Sequence, residues 1–216
     1  MQVHETTVFG FRPALRAMRN PMDSWAKSDS RYGVQYPDED QPWDRAIIVP
    51  ESPSVGSEDM KLALSLTRAG SSHRKFLRQI GIWVEITLPR YVWTEVDTYK
   101  LGTVLNSCST NHRLGTRNLM GCDFEGGMSD ETLAHLNVLV ANFRAQTDPE
   151  QKAEALRFLK NHLPEGYLQR ATLSLNYETA LNMYGQRQHH RLREWHRICD
   201  WIHGLPYMSQ LLEAVR

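Results

Sequence analysis

Two stretches concentrate the residue types best able to do chemistry. His196, Cys199 and His203 stand at i, i+3 and i+7 with Asp200 among them, so a helix there would gather metal-competent groups on neighbouring faces. Trp195 and Ile202 frame the cysteine, and a thiol between such partners suits a core as well as a metal. Solvated helix surface and core is the expectation, with no metal centre. The second stretch, Asn106-Ser107-Cys108-Ser109-Thr110, packs short amide, hydroxyl and thiol groups that can hydrogen-bond a phosphate. The same residue types also favour plain turns for local reasons. A nucleophilic Cys108 would need a lowered pKa and a partner base, and the sequence offers no such base. The patterns G-x-x-x-x-G-K, G-x-G-x-x-G and G-x-S-x-G are all missing, which excludes the common phosphate-loop, dinucleotide and serine-hydrolase routes.

The elements that must position these groups are legible in part. Ile80, Ile82, Val84, Ile86 and Leu88 alternate with Gly81, Trp83, Glu85 and Thr87, which predicts a half-buried strand stopped by Pro89. Ahead of it, Ser57 reads as the cap of a helix running to Ala69, with Glu58 and Asp59 at its positive end, Leu62, Leu66 and Ala69 toward the core, and Gly70 closing it. Val92, Val96 and Tyr99 return to helical spacing. Ser129 opens a helix with Leu133, Leu136, Val140 and Phe143 on one side. Thr147-Asp148-Pro149-Glu150 starts another, with a capping-box glutamate, ending before Pro164. A final long helical region carries Leu192, Trp195, Cys199 and Ile202 and closes at Gly204 and Pro206. Residues 20 to 57 form an irregular excursion broken by prolines, with Ile47-Ile48-Val49 as a short strand candidate, and Arg19-Asn20-Pro21 to Ser24-Trp25 could fold over a pocket. The reading is a single helix-rich α/β (α+β) domain over 1–216 with one clear strand and two or three weaker ones.

Composition narrows the partners. The 216 residues, 41% hydrophobic, support a real core rather than disorder. Lysine plus arginine equals aspartate plus glutamate at 25 each, so the chain has no broad attraction for nucleic acid or anionic membrane, and an anionic ligand must be met by a local basic cluster. Apolar runs are too short to span a bilayer, and His4, Glu5 and Arg12 leave no secretory apolar block. Three scattered cysteines, Cys108, Cys122 and Cys199, form no C-x-x-C pair and read as reduced thiols, which leads to a cytoplasmic expectation.

The region from His73 to Asn111 resembles the flavin-dependent thymidylate synthases. That family runs from a G-H-x-[ST]-P-F-E-H-like turn into a strand, then a P-x-F-V-x-x-Q helix, the signature R-H-R-x-x-S, and a loop of the type N-E-x-S-x-R-Y. Here Ser72-His73-Arg74-Lys75-Phe76-Leu77-Arg78 leads to the strand, followed by Pro89-Arg90-Tyr91-Val92-Trp93-Thr94-Glu95, Thr98-Tyr99-Lys100-Leu101-Gly102-Thr103 and Asn106-Ser107-Cys108-Ser109-Thr110-Asn111. A second stretch, Leu163-Pro164 to Arg187, is similar to the family's L-P to N-L-R segment, with Asn176 at its asparagine and Arg187 at its arginine. The likeness covers mainly residues 57 to 111 and 160 to 203.

The resemblance implies a helix-rich fold with a small central antiparallel or mixed sheet, and a homotetramer. It also implies transfer of a one-carbon unit from methylenetetrahydrofolate to carbon 5 of dUMP with reduced FAD as hydride source. Carried onto this chain, Arg187 becomes the catalytic cation and a substrate contact. Lys160 would meet the substrate phosphate, with Glu95, Asn106, Ser107, Cys108 and Ser109 lining the nucleotide, while His73, Thr98, Tyr99, Lys100 and Asn176 fall at cofactor positions. The chain departs from the family where Thr98, Tyr99, Lys100 and Thr103 replace the signature, Glu95 replaces a glutamine and Thr110 an arginine. Lysine cannot reproduce a bidentate arginine fork, so two further readings stand beside the enzyme: an inactive nucleotide-binding or regulatory protein, and a structural subunit.

Overall fold

The computed structural model describes residues 1–33, 47–48 and 53–215. Seven strands occur among them: β1 (Gln2–Phe9), β2 (Arg31–Tyr32), β3 (Ile47–Ile48), β4 (Pro53–Ser54), β5 (Gly81–Pro89), β6 (Val104–Ser107) and β7 (Leu168–Asn176). The helices are α1 (Phe11–Arg19), α2 (Ser57–Arg68), α3 (Arg90–Val96), α4 (Thr110–Arg113), α5 (Asp130–Ala145), α6 (Pro149–His162), α7 (Tyr177–Arg187), α8 (Arg193–His203) and α9 (Met208–Glu213). One sheet has the order β3-β1-β5-β7-β6, with β1 and β3 parallel in the register Thr6 to Ile47; a small antiparallel pair joins β2 to β4. The result is the helix-rich α+β architecture with a small sheet that the sequence implied.

The chain forms two compact units, one of Met1, Thr87–Asp97 and Asn106–Ala171, the other of Gln2–Ile86, Thr98–Leu105 and Thr172–Arg216. In the first, α5 and α6 enclose a core of Leu114, Leu119, Phe124, Leu136, Val140, Leu159 and Leu163. Ser129 caps α5 by accepting from the Thr132 amide, as its position predicts. At α6 the cap is Asp148, which accepts from the Gln151 amide at 2.9 Å with Pro149 in the first turn, so the expected Thr147–Glu150 box gives way to an aspartate one residue later.

The alternation along β5 is realised, with Ile80, Ile82, Val84, Ile86 and Leu88 at 3% exposure or less and Trp83 outward. Two long strands lay outside the sequence reading. β7 buries Ala171, Leu173 and Leu175 on one face, a period-two pattern readable in retrospect, and β1 buries Thr6 and Val8. The expected C-terminal helical region is realised as α8, which buries Trp195, Cys199 and Ile202 and closes at Gly204, with α7 and α9 as separate helices on either side. Helix α2 also differs from expectation. Its buried stripe is Asp59, Ala63 and Thr67, while Leu62 and Leu66 are half-buried and Ala69 is exposed. Ser57 is its first residue rather than its cap. The Asp29 carboxylate accepts from the Glu58 and Asp59 amides, both at 3.0 Å, and so caps the helix from a distant part of the chain. Of the 20 to 57 excursion, residues 34–46 and 49–52 lie outside the described residues, Val49 of the strand candidate among them, while Ile47 and Ile48 form β3.

Candidate functional site

The second unit places Arg187 on an aromatic support. Helix α7 starts because the Asn176 carboxamide accepts from the Thr179 amide at 3.0 Å, and Tyr177, Ala180, Leu181 and Met183 bury one face. Arg187 closes the helix, where a cation suits the negative end of the dipole. Its guanidinium carbon stands 4.7 Å from the ring centroid of Trp195 and 5.9 Å from that of Tyr99. Its Nε donates to the Tyr99 hydroxyl at 3.1 Å, and that hydroxyl donates onward to Gln186 at 2.9 Å. Trp195 is fully buried and Arg187 half-buried, so the ring gives a fixed base to a cation with partial access to water.

A cavity of about 460 Å³ opens beside the start of α7, lined by Ser71, Arg78, Leu101, Gly102, Asn176, Glu178, Thr179 and Asn182. The Leu101 carbonyl accepts from Thr179 Oγ1 at 2.8 Å and from Asn176 Nδ2 at 3.4 Å, which pins the 101–102 turn to the helix. Gly102 has φ +70°, and a Cβ there would sit 2.6 Å from Asn176 Nδ2, so both conformation and space require glycine. Buried Glu178 is compensated twice, by Arg74 Nε at 3.2 Å and by Arg78 Nε, while Arg74 also donates to Asn182 at 3.0 Å. A second cavity, about 430 Å³, has Met18, Leu62, Leu66 and Phe76 as apolar lining and Asn20, Ser24, Ser72, His73 and Lys75 as polar lining. Asn20, Pro21, Met22 and Ser24 thus border a pocket together with His73.

The first unit gathers the Lys160 half of the expected site. Lys160 Nζ donates to Asn111 Oδ1 at 2.5 Å, and Ser109 caps α4 by accepting from the Asn111 amide at 3.2 Å. Gln169 donates to Ser107 Oγ at 3.2 Å and to the Cys108 carbonyl at 2.7 Å, while the Cys108 amide donates to the Arg170 carbonyl at 2.9 Å. Lys160 therefore meets the hydroxyl-bearing turn through Asn111, and Asn106 and Ser107 lie exposed on strand β6 rather than in a loop. Glu95 is half-buried on α3, beside Trp93, whose buried indole donates to the Gln169 carbonyl at 2.8 Å and serves as core.

Other expected positions divide. Thr98 and Lys100 are exposed on the segment after α3. His73 precedes a short 3-10 helix, Arg74–Gln79, and is exposed. Cys199 is core, with burial pushing its thiol up to about 11 and Asp200 adding to the rise, and His196 Nε2 engages the His190 carbonyl at 2.7 Å. Sequence reasoning missed Arg78, Glu178 and the role of Trp195 beneath Arg187. A helix turn and a loop separate Arg187 from Trp195, so no periodic pattern links them.

The fold is similar to that of solved flavin-dependent thymidylate synthases. The chain is similar over its full length to crystal structures of flavin-dependent thymidylate synthase ThyX from Helicobacter pylori; one is described as complexed with FAD and dUMP, the other as solved with FAD and dUMP. Each superposes with a TM-score of 0.65 at 17% identity, covering 100% of both chains, a likeness of fold. No protein-family profile and no curated protein sequence matches the chain.

Proposed function

We propose that this protein binds a pyrimidine nucleotide, with dUMP as the ligand, and transfers a one-carbon unit to its base. The observation that supports this best is Arg187, a guanidinium oriented by two rings and a hydroxyl at the end of α7. Such a preorganised cation stabilises negative charge developing on uracil oxygens as carbon 5 is substituted, and it does so without reorganising at the moment of reaction. Lys160, held by Asn111, whose amide donates to the Ser109 hydroxyl, is the proposed contact for the nucleotide phosphate, with Ser107 as a further hydroxyl.

The residues present fit a flavin nucleotide. The cavity at the start of α7 offers Arg78, Asn176, Asn182 and Ser71 as donors for phosphate oxygens, and Gly102 keeps its wall open. Lys100 and Thr98, in place of the family's arginine and histidine signature, would supply a point charge and a hydroxyl there. FAD, when bound and reduced, supplies the hydride, and methylenetetrahydrofolate is the proposed one-carbon donor. His73 and Tyr99 complete the proposed cofactor contacts, and Glu95 and Cys108 the substrate contacts. In this reading the protein works in the cytoplasm as a homotetramer. Among the described residues no helix is long and apolar enough to cross a membrane.

A second reading, an inactive nucleotide-binding or structural subunit on the same scaffold, draws on Tyr99. Its hydroxyl is engaged by Arg187 and Gln186 at the position where the signature would place a histidine. The two readings part on purification. Flavin absorbance close to stoichiometric with protein, together with a rise in Tm on adding dUMP, is the result expected of the enzyme. A colourless protein whose Tm still rises with dUMP supports the inactive reading. Arg187→Ala abolishes the dUMP response while circular dichroism stays unchanged; wild-type dUMP affinity in that variant overturns the site assignment.

A further inference from the structure

Helices α5 and α6 pack together in the first unit, joined through residues 146–148, and carry two histidines to one place. His135 lies mid-way along α5, and His162 is the last residue of α6. Their ring centroids are 6.1 Å apart with planes at 61°, and both rings are exposed. Two details prepare His162 as a ligand. Its Nδ1 lies 2.8 Å from the Phe158 carbonyl, and since a carbonyl only accepts, Nδ1 carries the proton and Nε2 keeps its lone pair in the neutral ring. The Phe158 ring packs against it with centroids at 4.3 Å, restricting rotation. A metal-bound imidazole commonly has its other nitrogen tied to a carbonyl in this way, which fixes the tautomer and raises ligand basicity.

We infer that His135 and His162 form a two-imidazole site for a divalent transition-metal ion of the copper, nickel and zinc class, with water completing the coordination. The distances allow it. A metal–nitrogen bond of about 2.1 Å sets the ion about 3.2 Å from each ring centroid, so rings sharing an ion at a tetrahedral angle stand about 5 Å apart. Closing from the observed 6.1 Å to that value takes a small χ rotation of the exposed His135. Among the described residues no third histidine, cysteine or carboxylate joins the pair, so water fills the remaining positions. Imidazole donors favour these ions over magnesium or calcium, which take oxygen ligands. The site uses none of the residues proposed for nucleotide binding.

Titration of the full chain with nickel chloride by calorimetry, and with copper by electron paramagnetic resonance, tests the assignment. The expected result is a binding event weakened at least about tenfold in both His135→Ala and His162→Ala. The control variants His112→Ala and His189→Ala, at exposed histidines elsewhere, should retain it. The copper spectrum should report two equatorial nitrogens in the wild type and one in each single variant. Wild-type affinity in either His135→Ala or His162→Ala, loss of the event in a control, or no binding at all overturns the proposal.

Discussion

At the residue scale, Arg187 is supported by rings rather than held only through hydrogen bonds. Trp195 and Tyr99 orient the guanidinium through their π faces, and the Tyr99 hydroxyl accepts from Nε, so these partners fix where the charge points. Tyr99→Phe isolates the hydroxyl, since the ring remains. The variant should lower Tm by only about 2–4 °C, since the lost hydroxyl bonds are worth about 1 kcal/mol in a chain of this size. Its dUMP affinity should fall by about 1 kcal/mol, roughly fivefold, as Arg187 loses one anchoring bond. Calorimetric titration of both proteins checks this. Arg187 and Lys160 stand out as candidates in the sequence through the resemblance alone, since each is otherwise one basic residue among 25. Trp195 was read correctly as core, yet its second role was hidden, because a buried ring gives no sign in sequence of what lies on its face.

At the element scale, α2 is fixed by partners far away in sequence. Asp59 is fully buried and accepts from Arg19 Nε, Ser28 Oγ and Ser30 Oγ, each at 2.6 Å, while Arg19 is itself 4% exposed. One carboxylate thus ties α1, α2 and the segment from Ser28 to Ser30 together. Asp59→Ala leaves a buried guanidinium unpaired and should cost about 3–5 kcal/mol, read as a drop in the urea midpoint with little change in slope. The sequence reading placed Asp59 as a dipole-favouring residue in a first turn, which is true of its position but omits its burial. Period-two and period-3.6 patterns revealed β5, α5 and α6, where solvent touches one face and the alternation is clean. Strand β7 escaped because Leu168-Gln169-Arg170 starts it without alternating burial, and β1 because His4, Glu5, Thr6 and Thr7 blur the contrast between faces. The Asp29 cap was illegible for another reason: a cap supplied from 29 residues away has no local signature.

At the scale of the whole molecule, the ionisable groups set a window of stability. Asp59 and Asp123 have carboxyls that burial alone would raise, but hydrogen bonds from Ser28, Ser30 and Arg19 to the first, and from Arg117 and the Met120 amide to the second, hold both below the ordinary carboxylate value. Asp29 is lowered first by the Glu58 amide. Groups lowered in the folded state are bound by more protons when unfolded, so their contribution is complete above about pH 4 and is lost as pH falls through the folded pKa values. Cys199 and Tyr177 behave oppositely. Burial raises both, Cys199 to about 11, so the stability they confer is complete below the unfolded thiol value and is lost as pH rises toward the folded one. A thiol raised from 9.0 to about 11 is worth about 3 kcal/mol across that rise. Urea denaturation at a series of pH values should therefore give a plateau between about pH 4 and pH 9. Cys199→Ala should lower the plateau through its lost packing while flattening the alkaline descent, and an alkaline limb as steep as the wild type's would show that the thiol does not set it.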